Sequence, residues 1–256
     1  MKQISREAQI SRSKYHEVKK HIPNIITLAN LVSGCIAVTM AFQGYFGLAM
    51  FWVVMAAIFD FLDGAAAQLL RAQSALGKEL DSLADIVSFG VAPSMALFVL
   101  MRHNLLFVDF LVPIVAFIPY LAFLIPVFSA LRLAKFNVDD RQTTSFLGLP
   151  TPANGLFWVS FCWGMHHFVK GCHCYMSSLA VFLILVIFFI FALSYLMISE
   201  IPMFSLKIKK IAFRGNERQI GIVVLTIALF MFLGPIGIAM GILAYILLSI
   251  LTRKLN

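Results

Sequence analysis

Charge is scarce in this chain. Asp, Glu, Lys and Arg make up only 12% of its 256 residues, against about 25% in a soluble globular domain. That shortage excludes a soluble core wrapped in a solvated surface. Cysteine is sparse too, with four residues (Cys35, Cys162, Cys172 and Cys174) that form no disulfide framework. Cys35 and Cys162 fall inside apolar runs, where a thiol is expected as a small packing group. Cys172 and Cys174 lie near His166, His167 and His173, but their spacing matches no standard zinc pattern. Low-complexity linkers and fixed-period repeats are missing. No cleavable signal peptide is expected, because the first 22 residues are polar and basic, without an apolar stretch or small-residue cleavage site.

What fills the chain is apolar surface: 61% of residues are hydrophobic and the mean hydropathy is +0.92. Eight apolar stretches can be read, at 24–43, 46–70, 81–102, 107–136, 150–169, 176–198, 219–233 and 235–252. A bilayer core is crossed by about 20 residues of helix. The expected fold is therefore all-α: a polytopic transmembrane helical bundle of about eight spans, with a polar cavity open to the cytoplasmic side. The fourth stretch is too long and carries Pro113, Pro119 and Pro126, which predicts a kink or a short interfacial piece. The last two are short and separated by Gly234-Pro235, as one re-entrant hairpin or two tight spans. Three regions follow: a basic interfacial segment (1–22), a membrane domain (23–205), and a basic loop with a C-terminal helical hairpin (206–256). In the first, Ile4, Ile10, Tyr15 and Val18 are scattered among basic residues, which fits an amphipathic helix on the membrane or a disordered segment.

The formal net charge is +8, and its distribution is lopsided. Lys and Arg number six before the first span, two in 71–80, three in 132–141, five in 207–218 and two at the C-terminus. With eight spans, these eighteen share one side, and only Arg102 and Lys170 fall on the other. This bias predicts that both termini are cytoplasmic. It points to anionic headgroups and phosphorylated ligands rather than to nucleic acid.

Against this background four aspartates stand out in one 26-residue stretch: Asp60, Asp63, Asp81 and Asp85. A carboxylate at membrane depth is costly unless paired or metal-bound, so such a group marks a functional site by default. Asp60 and Asp63 are one helical turn apart, as are Asp81 and Asp85, so two helices could each present two acids to a shared cavity. Four converging carboxylates repel one another in a low dielectric. Divalent cations remove that repulsion and prefer hard oxygen ligands, so Mg²⁺ or Mn²⁺ fits best. Two such ions would suit an in-line displacement at phosphorus. The competing reading is a proton or cation pathway, as in a transporter. Gly64, Ala67 and Gly77 remove bulk beside the acids, either for a ligand to approach the backbone or for helices to pack closely.

The full pattern is Asp60-x2-Asp63-Gly64-x2-Ala67-x9-Gly77-x3-Asp81-x3-Asp85. It closely resembles the signature of the CDP-alcohol phosphatidyltransferases, membrane enzymes that displace CMP from a CDP-linked lipid with an alcohol. Further segments are similar to the phosphatidylserine synthase branch: Asp81 to Pro93 (DSLADIVSFGVAP), Ser129 to Asn137 (SALRLAKFN), Phe146 to Pro152 (FLGLPTP), and Pro23-Asn24-x2-Thr27. The likeness covers most of residues 22–205. One position departs from the family pattern: Gln68 stands where the family has arginine after the signature alanine. Glutamine lacks the charge and the bidentate fork of a guanidinium. Arg71, one turn on, is expected to take over that role.

The resemblance implies a catalytic membrane domain over 23–205. In it, Asp60, Asp63 and Asp81 hold one ion, while Asp60, Asp81 and Asp85 help to hold a second. Asp85 is the implied general base for the serine hydroxyl, and the substrates are CDP-diacylglycerol and L-serine. A homodimer in the bacterial inner membrane is implied as well. Asn24 and Thr27, with Asn30 continuing their face, would bind the nucleotide or lipid phosphate, or else bridge helices. Arg132 and Lys135, one turn apart, would meet a phosphate or the serine carboxylate, or else snorkel to headgroups. Gly148, Pro150 and Pro152 read as a rigid loop over the site. The acids alone leave the acceptor open among serine, glycerol phosphate, inositol and inositol phosphate. The missing arginine also leaves room for a catalytically impaired relative.

Overall fold

The computed structural model describes residues 2–105, 113–138, 146–171, 176–203 and 217–252. Helix α1 (Lys2–Phe42) is unbroken across Pro23, so the basic segment and the first apolar stretch form one rod rather than two elements. Proline here lacks the N–H that would bond one turn back, but the rest of the ladder carries the helix through. Helix α2 (Phe46–Leu69) returns antiparallel and packs along α1.

The next rod has three parts: α3 (Ala75–Asp85), a wide π-helical turn (Ile86–Val91) and α4 (Ala92–Leu105). It begins earlier than the stretch at 81–102 implied. Ser74 is the reason: its backbone is extended and its hydroxyl accepts a bond from the Gly77 N–H at 3.0 Å, which caps the helix. The link between the acid-bearing helices is therefore Leu70–Ser74. This third rod is the most enclosed of the long apolar helices.

The proline-rich fourth stretch resolves into a 3₁₀ segment (Pro113–Phe123) followed by α5 (Leu124–Val138). Phe98 stacks on Phe123 at 5.4 Å and meets Tyr120 edge-on at 5.2 Å, which ties the 3₁₀ segment to α4. Helix α6 (Thr151–Gly171) and helix α7 (Met176–Ile198) follow. A short antiparallel pair, β1 (Phe146–Leu147) with β2 (Pro202–Met203), clips the entry of α6 to the exit of α7. Helices α8 (Glu217–Leu233) and α9 (Ile236–Thr252) form a hairpin turning at Gly234-Pro235, and α9 packs on α6.

All eight apolar stretches are thus helical where described. Among the described residues, five helices are long and apolar enough to cross a membrane, and the two of the C-terminal hairpin are shorter. The chain is an integral membrane protein of all-α architecture. Its large side chains face both ways: Phe89, Leu97, Phe157 and Trp158 are buried, whereas Phe61, Phe117, Phe188 and Phe232 are exposed, as lipid contact demands. Cys162 is buried as expected, but Cys35 is exposed on the helix surface and packs nothing in the interior. Lipid offers no hydrophobic drive between helices, so close packing and polar contacts carry their association.

Gly148 shows how tight that packing is. Its φ is +76°, its N–H donates to the Ile201 carbonyl at 2.9 Å, and an added Cβ would lie 2.6 Å from the Met197 carbonyl oxygen. Leu149 N–H donates to the Leu196 carbonyl at 3.0 Å. The expected rigid loop is therefore anchored to the end of α7. Gly148→Ala is expected to cost about 1–3 kcal/mol, read as a lower midpoint of thermal unfolding in detergent.

Candidate active site

Three helices meet at the acids. The last turns of α2 carry Asp60 and Asp63, α3 carries Asp81 and Asp85, and α1 lies across both. One carboxylate oxygen from each of Asp60, Asp63 and Asp81 falls within 4.8 Å of the others. At that spacing each pair of charges repels by roughly 3 kcal/mol at an effective dielectric of about 20. Asp85 is not part of that group of three; like Asp63 it is buried, 7% exposed, and it lies within electrostatic reach of Asp60 and Asp81.

Helix α1 supplies the neutral donors. The Thr27 hydroxyl donates to Asp63 Oδ2 at 2.6 Å, with the Pro23 carbonyl at 3.1 Å. The Asn30 amide donates from Nδ2 to Asp85 Oδ1 at 3.3 Å, and its Oδ1 accepts from Ser88 at 2.7 Å. Asp81 Oδ1 is buried with no hydrogen-bond partner among the described residues. A buried carboxylate oxygen left open, beside two further carboxylates, fits a hard divalent ion such as Mg²⁺ or Mn²⁺. Asp60, Asp63 and Asp81 are the residues that could hold it.

A cavity of about 490 Å³ opens against this cluster. Pro23, Asn24 and Thr27 form one wall, Asp63, Gly64 and Ala67 a second, and Gly77, Lys78 and Asp81 a third. The two glycines part company. A Cβ on Gly64 would meet nothing within 4 Å, so this residue keeps cavity space open. A Cβ on Gly77 would lie 3.0 Å from Asn24 Oδ1, so Gly77 lets α1 approach α3.

The family profile described as CDP-alcohol phosphatidyltransferase matches residues 20–188. The chain belongs to the CDP-alcohol phosphatidyltransferase family. Among its relatives is the CDP-diacylglycerol–serine O-phosphatidyltransferase of Bacillus subtilis, 35% identical over 136 residues, which are 53% of this chain and 72% of that protein. The Helicobacter pylori J99 protein of the same name is 34% identical over 154 residues, covering 58% of this chain and 61% of its own. The Methanocaldococcus jannaschii one is 34% identical over 141 residues, 55% of this chain and 60% of that protein. The chain thus spans less than two thirds of the length of the latter two.

The residues around the family signature are spread unevenly. Gln68 and Arg71 are exposed and line a neighbouring hollow of about 290 Å³ with Ala67 and Gln73. Ala67 and Gln73 border both hollows, but Arg71 is not on the wall of the acid cavity. Arg132 and Lys135, expected as a pair, diverge. Arg132 Nη1 donates to Thr151 Oγ1 at 2.7 Å, its Nε is buried without a partner among the described residues, and Asp85 is within electrostatic reach. Lys135 instead turns outward to Glu200 at 3.4 Å. Three residues on a helix differ by some 60° in direction, enough to send two long side chains apart.

Lys78, Ser88 and Thr151 were not singled out by spacing. Lys78 lines the cavity and donates to the Asn137 carbonyl at 3.1 Å. The signal for Ser88 was its place one turn after Asp85 within the DSLADIVS run. On the far side of the bundle, His166 packs on the Phe46 ring at 4.9 Å, and His167 Nε2 accepts from Trp163 at 3.0 Å. Cys172, His173 and Cys174 lie outside the described residues.

Crowded like charges destabilise the fold that holds them. Asp81→Asn is expected to raise the metal-free unfolding midpoint in detergent. Added Mn²⁺ should stabilise the unsubstituted protein, by about 2.7 kcal/mol at a hundred times its dissociation constant, and leave the variant unmoved.

Proposed function

We propose that this protein transfers the phosphatidyl group from CDP-diacylglycerol to L-serine, giving phosphatidylserine and CMP. The observation that carries the reading is the open Asp81 Oδ1 among converging carboxylates, at the mouth of a cavity large enough for a nucleotide. Family membership and relatives named for serine support the donor and the acceptor. They favour an enzyme over a cation pathway.

Asp60, Asp63 and Asp81 would hold one Mg²⁺ or Mn²⁺, and Asp60, Asp81 and Asp85 would share a second. When bound, these ions neutralise charge on the diphosphate and on the departing CMP. Gly64 and Ala67 leave room for the nucleotide beside Asn24 and Thr27. Asn30 occupies Asp85 Oδ1, which leaves Oδ2 to take the proton of the serine hydroxyl. The serine oxygen attacks the β-phosphorus, the one bearing diacylglycerol. The bond from that phosphorus to the bridging oxygen breaks, and CMP leaves with the oxygen. Arg132, whose buried Nε has no partner among the described residues, would meet the serine carboxylate. Lys135, paired with Glu200, has no part in this reading.

The uneven Lys and Arg distribution supports an eight-span layout with both termini and the cavity facing the cytoplasm. We assign the protein to the bacterial inner membrane, as a homodimer, with the catalytic domain at 23–205.

Purified protein given CDP-diacylglycerol should release CMP with L-serine and not with glycerol phosphate, inositol or inositol phosphate, and EDTA should abolish release. Release with another of these acceptors and not serine overturns the assignment. A second expectation concerns the departure at Gln68. If Arg71 supplies the missing cation across the shared wall, Arg71→Ala should raise KM for CDP-diacylglycerol by about tenfold, the worth of one charged phosphate contact. Full activity in Arg71→Ala together with a gain in Gln68→Arg would exclude that role.

A further inference from the structure

Asn30 and Ser88 are wholly buried behind Asp85, on two different rods. Ser88 sits in the π-helical turn that begins at Ile86, directly after Asp85. Single wide turns of this kind inside α-helices recur at functional sites. The turn lies against α1 at backbone distance: a Cβ on Gly34 would fall 2.9 Å from Ser88 Cα. Glycine at 34 therefore lets the Ser88 hydroxyl reach Asn30, where it stands 2.7 Å from Oδ1 and 3.1 Å from the backbone carbonyl.

This contact braces the Asn30 amide in place. A carboxamide has one accepting end and one donating end. A hydroxyl proton aimed at Oδ1 favours the orientation that turns Nδ2 toward Asp85. Flipping the amide would set a carbonyl oxygen against a carboxylate oxygen, and the Ser88 bond to Oδ1 adds to that preference. The serine thus does for the asparagine what outer groups do for metal-binding side chains: it fixes orientation without touching ligand.

We propose that Ser88 is a positioning residue, which acts through the Asn30 amide to hold the Asp85 carboxylate in the orientation the site requires. The proposal rests on the reading of the acids as a divalent-ion site. Ser88 touches neither ion nor substrate in that reading. Its effect should therefore pass wholly through Asn30, and this is what distinguishes a relay from a packing role.

The test uses the full chain in detergent, with free Mn²⁺ followed by electron paramagnetic resonance and CMP release measured in parallel. Ser88→Ala removes one atom and overfills nothing. It should weaken Mn²⁺ binding by about tenfold, and raise the metal concentration for half-maximal rate equally. KM for CDP-diacylglycerol should stay within about twofold of the unsubstituted value. Ser88→Cys, similar in size and a weaker donor, should recover part of the loss, and it carries the comparison if S88A does not fold. The double variant S88A/N30A should bind Mn²⁺ no more weakly than N30A alone. Unchanged affinity in S88A, or losses that multiply in the double variant, overturns the relay. Failure of the unsubstituted protein to bind Mn²⁺ at all overturns the ion site and the relay together, and so separates the two failures.

Discussion

Carboxylates crowded at membrane depth have to be hydrogen-bonded without being neutralised, and helix α1 meets that demand. Thr27 and Asn30, one turn apart, each engage an acid from a different neighbouring rod: Asp63 on α2 and Asp85 on α3. Both donors are uncharged. They satisfy oxygens that would otherwise be stranded, yet they leave the negative charge in place for a cation to find. A lysine in either position would quench the site by pairing with it. The packing of α1 against α2, α3 and α4 follows from the same requirement, because a donor on one helix must reach an acceptor on another.

Small residues make those reaches possible. Gly34 brings the π-helical turn against α1, and Gly77 brings Asn24 against the start of α3. Gly148 draws the entry of α6 onto α7, which places Thr151 under the Arg132 guanidinium. The polar centre is thus assembled by backbones approaching closely where side chains are absent. The bulky apolar groups are divided between the interior and the lipid-facing surface.

Much of this was legible in the sequence, for physical reasons that differ by residue. The aspartates could be read because a carboxylate in an apolar run has no cheap explanation. Thr27 and Asn30 were visible as a polar stripe at helical spacing, although two uses for it competed; the structure has them bridging helices through the acids themselves. The two glycines of the signature looked alike, and only their surroundings separate Gly64, which faces space, from Gly77, which faces Asn24. The ion pair of Lys135 could not be foreseen because its partner, Glu200, is remote in sequence. Ser88 went unread although it stands one turn after Asp85, because a serine inside an apolar run ordinarily bonds its own helix. The start of α3 was misplaced because hydropathy registers apolar content, whereas Ser74 ends the link by capping. Where charge and hydropathy set the outcome the chain could be read directly, and where backbone geometry set it the chain could not.

The unbroken course of α1 has a mechanical side. At about 1.5 Å per residue, its 41 residues extend roughly 60 Å, twice the hydrocarbon thickness of about 30 Å. One end of this shaft must therefore stand clear of the bilayer, while the other carries the two groups that brace the acids. Pro23 lies between, one turn from Thr27, at the place where the shaft lacks a rung. The protruding end is therefore joined to Thr27 and Asn30 through one continuous helix that lacks a single hydrogen bond on the way.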